Sequence, residues 1–111
     1  MKLWVDDIRP APEGWYQARS VNVAKEMIIA NWENIEMLSI DHDSGDYNKW
    51  GGDYINILKW LEEEEYTAHK LGEKLVTFPI QLHSMNPVGV QNMRNIIQHN
   101  NWKEIPFEGF D

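Results

Sequence analysis

Three short, mainly apolar runs in this sequence each end abruptly in polar or ionisable residues. The runs cover residues 3–5, 38–40 and 78–82. They are followed by Asp6 and Asp7, by Asp41, His42 and Asp43, and by His83 and Ser84. Charged side chains are rarely buried unless they are paired or bound to a metal ion, so packing alone gives no reason for this pattern. At the C-terminal ends of parallel strands, however, such residues line the crevice where open α/β sheets bind ligands.

Helical patterns separate these runs. Apolar residues recur at spacings of three and four after Ser20, within residues 54–61 and within residues 90–97. Strands that alternate with helices predict an α/β fold with a parallel sheet and right-handed crossovers. The polar residues that end the three runs should then meet at one edge of the sheet.

The pattern also predicts approximate bounds for the elements of a single domain over residues 1–111. The expected strands are Met1–Val5, Trp15–Ala18, Ile35–Ile40 and Leu75–Leu82, with Trp102–Phe107 as a fifth strand or a packed tail. Pro79 favours a position near a sheet edge or a bulge for the fourth strand. The acidic run at residues 62–65 opposes the dipole at a helix C-terminus, so we expect the helix to fray there.

The composition excludes several classes of protein. There is no cysteine, which rules out disulfides and thiolate metal sites and is compatible with a reducing cytosol. The net charge of −8 opposes a general surface for duplex nucleic acid. No apolar stretch approaches the roughly 20 residues of a membrane span, and Asp6 comes too early for a signal peptide. We therefore expect a cytoplasmic protein without general affinity for duplexes or membranes, whose oligomeric state the sequence leaves open.

Three motifs, taken together, resemble one known family. The chain carries DDIRPAPEGW at residues 6–15, SIDHDSGD at 39–46 and HSMNPVG at 83–89. These are similar to the DDxRP-type start, the DHD centre and the HSxNPxG element of the cyclic-phosphate-processing family, which is derived from response-regulator receiver domains. The resemblance runs from Lys2 to about Ile97. It implies a receiver-like (flavodoxin-like) three-layer sandwich around a mostly parallel sheet of four or five strands, with a C-terminal part that could be truncated.

The resemblance also implies a function. The family is proposed to act on cyclic phosphates, such as those at RNA ends or in nucleotides. The chain departs from a phosphorelay receiver because His42 and His83 stand where such a receiver needs no histidine. In addition, Lys103 is the only lysine near the fifth strand, and it lies at the start of that segment. Both departures weigh against phospho-aspartate signalling.

Asp6, Asp7 and Asp43 are the candidate ligands for a divalent metal ion. Carboxylate oxygens suit Mg²⁺ or Mn²⁺, and a nearby histidine shifts the preference towards Mn²⁺. Three carboxylates that end two adjacent strands should also repel one another without a cation. The alternative for any single aspartate is that it caps a turn or is solvated.

His83, Asp41 and His42 are the candidate catalytic residues. A histidine can act as a general acid or base near neutral pH, and His83 is the better placed of the two. Direct attack on phosphorus by an aspartate carboxylate is a second route that the sequence leaves open. Strand alternation would point His42 away from Asp41, so a packing role for His42 is as well supported as a catalytic one. For His83 the alternative is a structural pair with an aspartate.

Arg9, Ser84 and Asn86 are the candidate substrate-binding residues. Arginine binds phosphate bidentately, although Arg9 could equally form an internal salt bridge. Asn86 is a suitable N-cap, with Pro87 at the first helical position. Ser84 and the N–H groups at the start of that helix could hold phosphate oxygens, or Ser84 could only cap a turn.

The sequence thus predicts metal-assisted hydrolysis of a cyclic phosphate in a nucleotide or at an RNA end. The cation would polarise the phosphoryl group and activate water, and His83 would protonate the leaving oxygen. The rival hypotheses are a binding module for a phosphorylated ligand, a phospho-acceptor signalling domain and an acidic mimic of nucleic acid.

Overall fold

The computed structural model describes residues 1–42 and 53–109. Its elements are β1 (Lys2–Val5), β2 (Tyr16–Ala18), α1 (Val21–Ala30), a 3₁₀ turn (Trp32–Asn34), β3 (Met37–Ile40), α2 (Ile55–Lys70), β4 (Ile80–Leu82), α3 (Pro87–His99) and β5 (Glu104–Ile105). The five strands form one sheet in the order β2-β1-β3-β4-β5, and every pairing is parallel. This is the strand order of flavodoxin-like folds. The predicted receiver-like α/β fold is confirmed, as is the pairing of β1 with β3.

All three helices pack on one face of the sheet. The connections β2–α1–β3, β3–α2–β4 and β4–α3–β5 advance across the sheet in the same direction, and right-handed crossovers then leave every helix on the same side. Strand residues on that face join helix residues in one apolar core, which includes Leu3, Val5, Leu38, Ile40, Ile80, Leu82, Ile28, Leu61, Met93 and Ile97. Burial of this continuous apolar surface is the main stabilising contribution to the fold.

The opposite face of the sheet carries different residues. Trp4, Ser39 and Gln81 lie side by side in the register of β1, β3 and β4. Trp15 and Phe107 cover Trp4, with ring centroids 5.9 Å and 6.2 Å away. The outer layer on this face therefore includes the β1–β2 loop and the segment after β5, and no helix lies between β1 and β2.

Helix α2 corrects one prediction. It continues through the acidic run to Lys70 instead of fraying there. Glu62 Oε2 accepts a hydrogen bond from Asn100 Nδ2 at 2.6 Å. Glu65 Oε2 accepts from the backbone N–H groups of Leu75 and Val76 at 2.8 and 2.9 Å. These tertiary hydrogen bonds occupy the carboxylates and offset their unfavourable interaction with the dipole.

Strand β4 is shorter than predicted, since it begins at Ile80 and not at Leu75. The N–H groups of Leu75 and Val76 donate to Glu65, and Pro79 has no N–H, so these residues cannot donate to a neighbouring strand. No helix in the described part of the chain is long and apolar enough to cross a membrane.

Candidate functional site

Asp6 and His83 form a buried pair at the C-terminal ends of β1 and β4. Both side chains are fully buried, and Asp6 Oδ2 lies 3.1 Å from His83 Nε2. The other carboxylate oxygen, Oδ1, accepts from the backbone N–H groups of Ile8 and Arg9 at 2.8 and 2.9 Å. Asp6 is therefore held by the loop that follows its own strand and by a residue 77 positions away.

The second ring nitrogen of His83 is also occupied. Nδ1 lies 2.7 Å from Ser39 Oγ, which donates to Gln81 Oε1 at 2.8 Å. Nδ1 therefore contacts Ser39 and Nε2 contacts the Asp6 carboxylate, so both ring nitrogens have a polar partner. These contacts fix the orientation of the imidazole between β1, β3 and β4.

The His83 ring is enclosed by aromatic side chains. It lies parallel to the Trp4 indole, with centroids 3.7 Å apart and an interplanar angle of 7°. Phe107 approaches at 5.8 Å. His83 has no exposed surface, so a ligand in the solvent could touch its ring only after this cover had moved.

The environment holds Asp6 ionised. Burial by itself raises the pKa of the Asp6 carboxyl. The hydrogen bond from His83, the N–H groups of Arg9 and Ile8, and the charge of His83 together outweigh burial. The pKa of Asp6 therefore lies below its ordinary value of 3.8.

Asp41, at the end of β3, has the opposite shift. Burial raises its pKa above 3.8, and the negative charge of Asp6 adds to this shift. The N–H of His42, the charge of His83 and the hydroxyl of Ser84 oppose the shift without cancelling it. Two carboxyls on neighbouring strands thus differ in acidity because only Asp6 has a buried basic partner.

Four of the predicted site residues line one cleft. Its volume is about 480 Å³, and its walls are Ile8, Arg9, Asp41, Ser84, Met85 and Asn86. Nη1 of Arg9 lies 3.8 Å from Asp6 Oδ2 and 3.8 Å from Asp41 Oδ2. Nη1 of Arg9 therefore lies between the two carboxylates, and the guanidinium brings a positive charge to the wall of the cleft. The cleft combines a cation, a carboxylate, a hydroxyl and an amide.

The loop before α3 is stabilised by its own polar groups. Ser84 Oγ accepts from the N–H of Asn86 at 3.1 Å, and Asn86 Oδ1 accepts from the N–H of Gly89 at 3.0 Å. Asn86 is thus the N-cap that the sequence predicted. The N–H groups of Asn86 and Gly89 are thus already paired, and the Ser84 hydroxyl interacts with Asp41, so the helix N-terminus offers fewer donors to a ligand than the sequence predicted.

His42 packs against the first turn of α3. A Cβ atom added to Gly89 would lie 2.4 Å from His42 Cγ, well inside van der Waals contact. Only a glycine leaves room for the imidazole here. The structure thus gives a steric reason for the last residue of the HSMNPVG motif, and the catalytic role of His42 remains a prediction.

Asp7 belongs to a different environment. The buried Tyr54 hydroxyl lies 3.0 Å from Asp7 Oδ1 and 3.2 Å from the carbonyl oxygen of Arg19. Asp43 lies outside the described residues. Among the residues that are described, no three His, Asp or Glu side chains are grouped closely enough to hold a metal ion. The metal site remains a prediction, and the paired oxygens of Asp6 do not fit it.

Four residues that support the site have only a weak signal in the sequence. Ser39 and Gln81 interrupt apolar strands, and this polar character in mid-strand was the available signal. Trp4 and Tyr54 looked like ordinary core residues, because hydrophobic periodicity does not show what their rings or hydroxyls touch. They contact His83 and Asp7 respectively.

The parallel sheet, with its acidic and basic side chains at the C-terminal strand ends, defines a receiver-like domain. The family model of the cyclic-phosphate processing receiver domain matches residues 1–99, and the chain belongs to that family. No curated protein and no solved structure matches the chain.

Proposed function

We propose that this domain hydrolyses a cyclic phosphate in the cleft lined by Arg9, Asp41, Ser84 and Asn86. The observation that carries the proposal is the position of the Arg9 guanidinium beside a carboxylate in this cleft. The family's association with cyclic-phosphate processing supports the choice of substrate class. A small nucleotide or an RNA end suits the cleft, whereas the net charge of −8 disfavours duplexes.

Arg9 has the chemistry to bind the phosphate. A guanidinium can bind phosphoryl oxygens bidentately. The Asn86 amide lines the same cleft and would add a neutral donor, whereas the Ser84 hydroxyl would hold Asp41 in place. Because negative charge grows on these oxygens in the transition state, fixed donors would stabilise it more than the ground state.

Asp41 is the carboxylate that would exchange a proton with the reacting groups. A water oxygen forms a bond to phosphorus while its proton passes to Asp41. One ester P–O bond breaks, and the alkoxide that leaves takes the proton from Asp41, which gives a phosphomonoester. His83 would act indirectly, by holding Asp6 and thereby the backbone of Ile8 and Arg9. This role replaces the direct proton donation predicted for His83, because the ring is buried.

The proposal can be tested with nucleoside 2′,3′-cyclic and 3′,5′-cyclic phosphates and a short RNA with a cyclic phosphate end. Phosphorus NMR would follow the formation of a monoester, with chelator and with added Mg²⁺ or Mn²⁺. We expect turnover of at least one substrate by the wild type. Asp41→Asn should lower it by about 100-fold or more. Lys103→Met, a change at an exposed lysine outside the cleft, should leave it unchanged.

Three results would contradict the proposal. Binding of these compounds without product would indicate a binding module. Covalent phosphate on Asp41 after incubation with acetyl phosphate, without turnover of cyclic substrates, would indicate a phospho-acceptor domain. Undiminished turnover by Asp41→Asn would remove Asp41 from the reaction.

A further inference from the structure

The charge balance of the cleft bears on the cation that the site uses. Asp6 and Asp41 end adjacent parallel strands, and such a pair of carboxylates needs a positive partner. The sequence predicts a divalent metal ion close by, on Asp6, Asp7 and Asp43. In the structure the Arg9 side chain already brings a positive charge close to both carboxylates.

Arg9 approaches both carboxylates from above the strand ends. Its Nη1 atom lies 3.8 Å from one oxygen of Asp6 and 3.8 Å from one oxygen of Asp41. The Arg9 side chain is 34 % exposed, against 0 % for Asp6 and 11 % for Asp41. The guanidinium is therefore the most exposed of the three charged groups, and it shares the wall of the cleft with Asp41.

The position of Arg9 is fixed by its own backbone. The N–H of Arg9 donates to Asp6 Oδ1, and the carbonyl of Arg9 accepts from Trp4 Nε1 at 3.1 Å and from Gln17 Nε2 at 3.0 Å. These contacts tie the residue to β1 and to β2. Arg9 is not a solvent-exposed arginine that happens to lie near acids, because the loop holds its main chain over them.

The oxygens of Asp6 leave little room for a metal ion. Oδ1 accepts two backbone hydrogen bonds, and Oδ2 faces both His83 and Arg9. A metal ion that bound Asp6 would have to displace these partners. Asp41 Oδ1 likewise accepts from the N–H of His42 at 2.8 Å, and its Oδ2 faces Arg9.

We infer that the Arg9 guanidinium is the resident cation of this site, in the place predicted for a divalent metal ion. The inference rests on the proposed function only for the identity of the anionic ligand. Arg9 would balance the charge of the two carboxylates in the free protein and would also be the cation that an anionic ligand meets in the cleft. The site would then bind a phosphate without a metal.

Melting curves test this inference independently of turnover. Protein stripped with chelator is melted with and without millimolar Mg²⁺ or Mn²⁺. We expect no metal-dependent shift in the wild type or in Lys103→Met, which removes one positive charge elsewhere. In Arg9→Met the two carboxylates lose their partner, so added metal should raise the melting temperature by several degrees, as any native-state ligand does.

Two outcomes would overturn the inference. The first is a metal-dependent rise in the wild-type melting temperature that is accompanied by stoichiometric Mn²⁺ binding in electron paramagnetic resonance. The second is an Arg9→Met protein as insensitive to metal as the wild type. If Arg9→Met does not fold, Arg9→Lys takes its place in the melting curves, and Mn²⁺ binding by the wild type is measured by titration. Tight Mn²⁺ binding by the wild type would contradict the inference. A protein that hydrolyses no cyclic phosphate could still give the expected melting curves, so the proposed function and this inference can fail separately.

Discussion

The imidazole of His83 stacks on the indole of Trp4 at a centroid distance of 3.7 Å, and this stack holds a basic side chain on the face of the sheet opposite the described helices. Below it, Ser39 and Gln81 fix one ring nitrogen through hydrogen bonds. Above it, Asp6 engages the other nitrogen and, through its second oxygen, the loop that carries Arg9. Ser39, Gln81 and His83 thus help to position Arg9, which lines the cleft.

Replacement of His83 by Leu should strongly destabilise the fold. The change leaves the Asp6 carboxylate buried without the imidazole that contacts it, and leaving a charge buried without its partner typically costs about 3–5 kcal/mol. Urea unfolding would measure the loss. In the double variant with Asp6→Asn the added cost of His83→Leu should be smaller, and strictly additive losses would show that the two side chains are not coupled.

The two carboxyls should affect the pH dependence of stability in opposite directions. The pKa of Asp6 is lower in the folded protein than its ordinary 3.8. Its stabilising contribution is therefore present above pH 3.8 and is lost as the pH falls through the folded pKa. Asp6→Asn should thus reduce stability at neutral pH.

Asp41→Asn should have the reverse effect. The pKa of Asp41 is raised on folding, so its ionised form destabilises the fold above that pKa, and the protonated form does not. We expect the Asn variant to be more stable than the wild type at pH 7. This advantage should shrink as the pH falls from above the raised pKa to below 3.8. Thermal melts across this range would measure it, and an equal gain at every pH would contradict the assignment.

Gly89→Ala should destabilise the protein although alanine is the better helix former. The added Cβ would lie 2.4 Å from His42 Cγ, so the imidazole or the helix must shift. Such overpacking costs about 1–3 kcal/mol. In a His42→Ala background the same change should be neutral or stabilising by up to about 1 kcal/mol, because only the helix propensity remains. Chemical unfolding would compare the wild type, the two single variants and the double variant. A destabilisation by Gly89→Ala that persists in the His42→Ala background would contradict the assigned clash.

Glu65→Ala should destabilise the connection between α2 and β4. Its carboxylate accepts two backbone hydrogen bonds, and their loss should cost about 1–3 kcal/mol. Glu63→Ala is the matched control, since Glu63 is an exposed acid of the same run. Equal effects of the two changes on the unfolding midpoint would mean that the hydrogen bonds of Glu65 contribute nothing specific.

The general fold and the meeting of the strand ends could be predicted from the sequence. Both follow from local patterns: apolar runs that stop at Asp6, Asp41 and His83, and helical periodicity between them. The enclosure of His83 could not be predicted in this way. It depends on Trp4 and Phe107, which lie 79 and 24 positions away along the chain. A strand-end histidine has the same local signature whether it is covered or open.

The error at the acidic run has a similar origin. Glu65 finds its partners 10 and 11 residues further along, and Glu62 finds Asn100 38 residues away. A rule for isolated helices takes no account of such partners. Helix length was therefore the least predictable part of this element, whereas its apolar face at Ile57, Leu58 and Leu61 is buried as the spacing indicates.

The turn from Asp6 to Arg9 carries an anion and a cation that are joined through the main chain. An insertion or deletion within these few residues would change the spacing of both charges at once, whereas the remainder of the β1–β2 loop could vary in length with less effect on their relation. The polarity of the cleft is thus encoded over a very short stretch of chain, and a redesign of ligand preference would begin by keeping that spacing fixed.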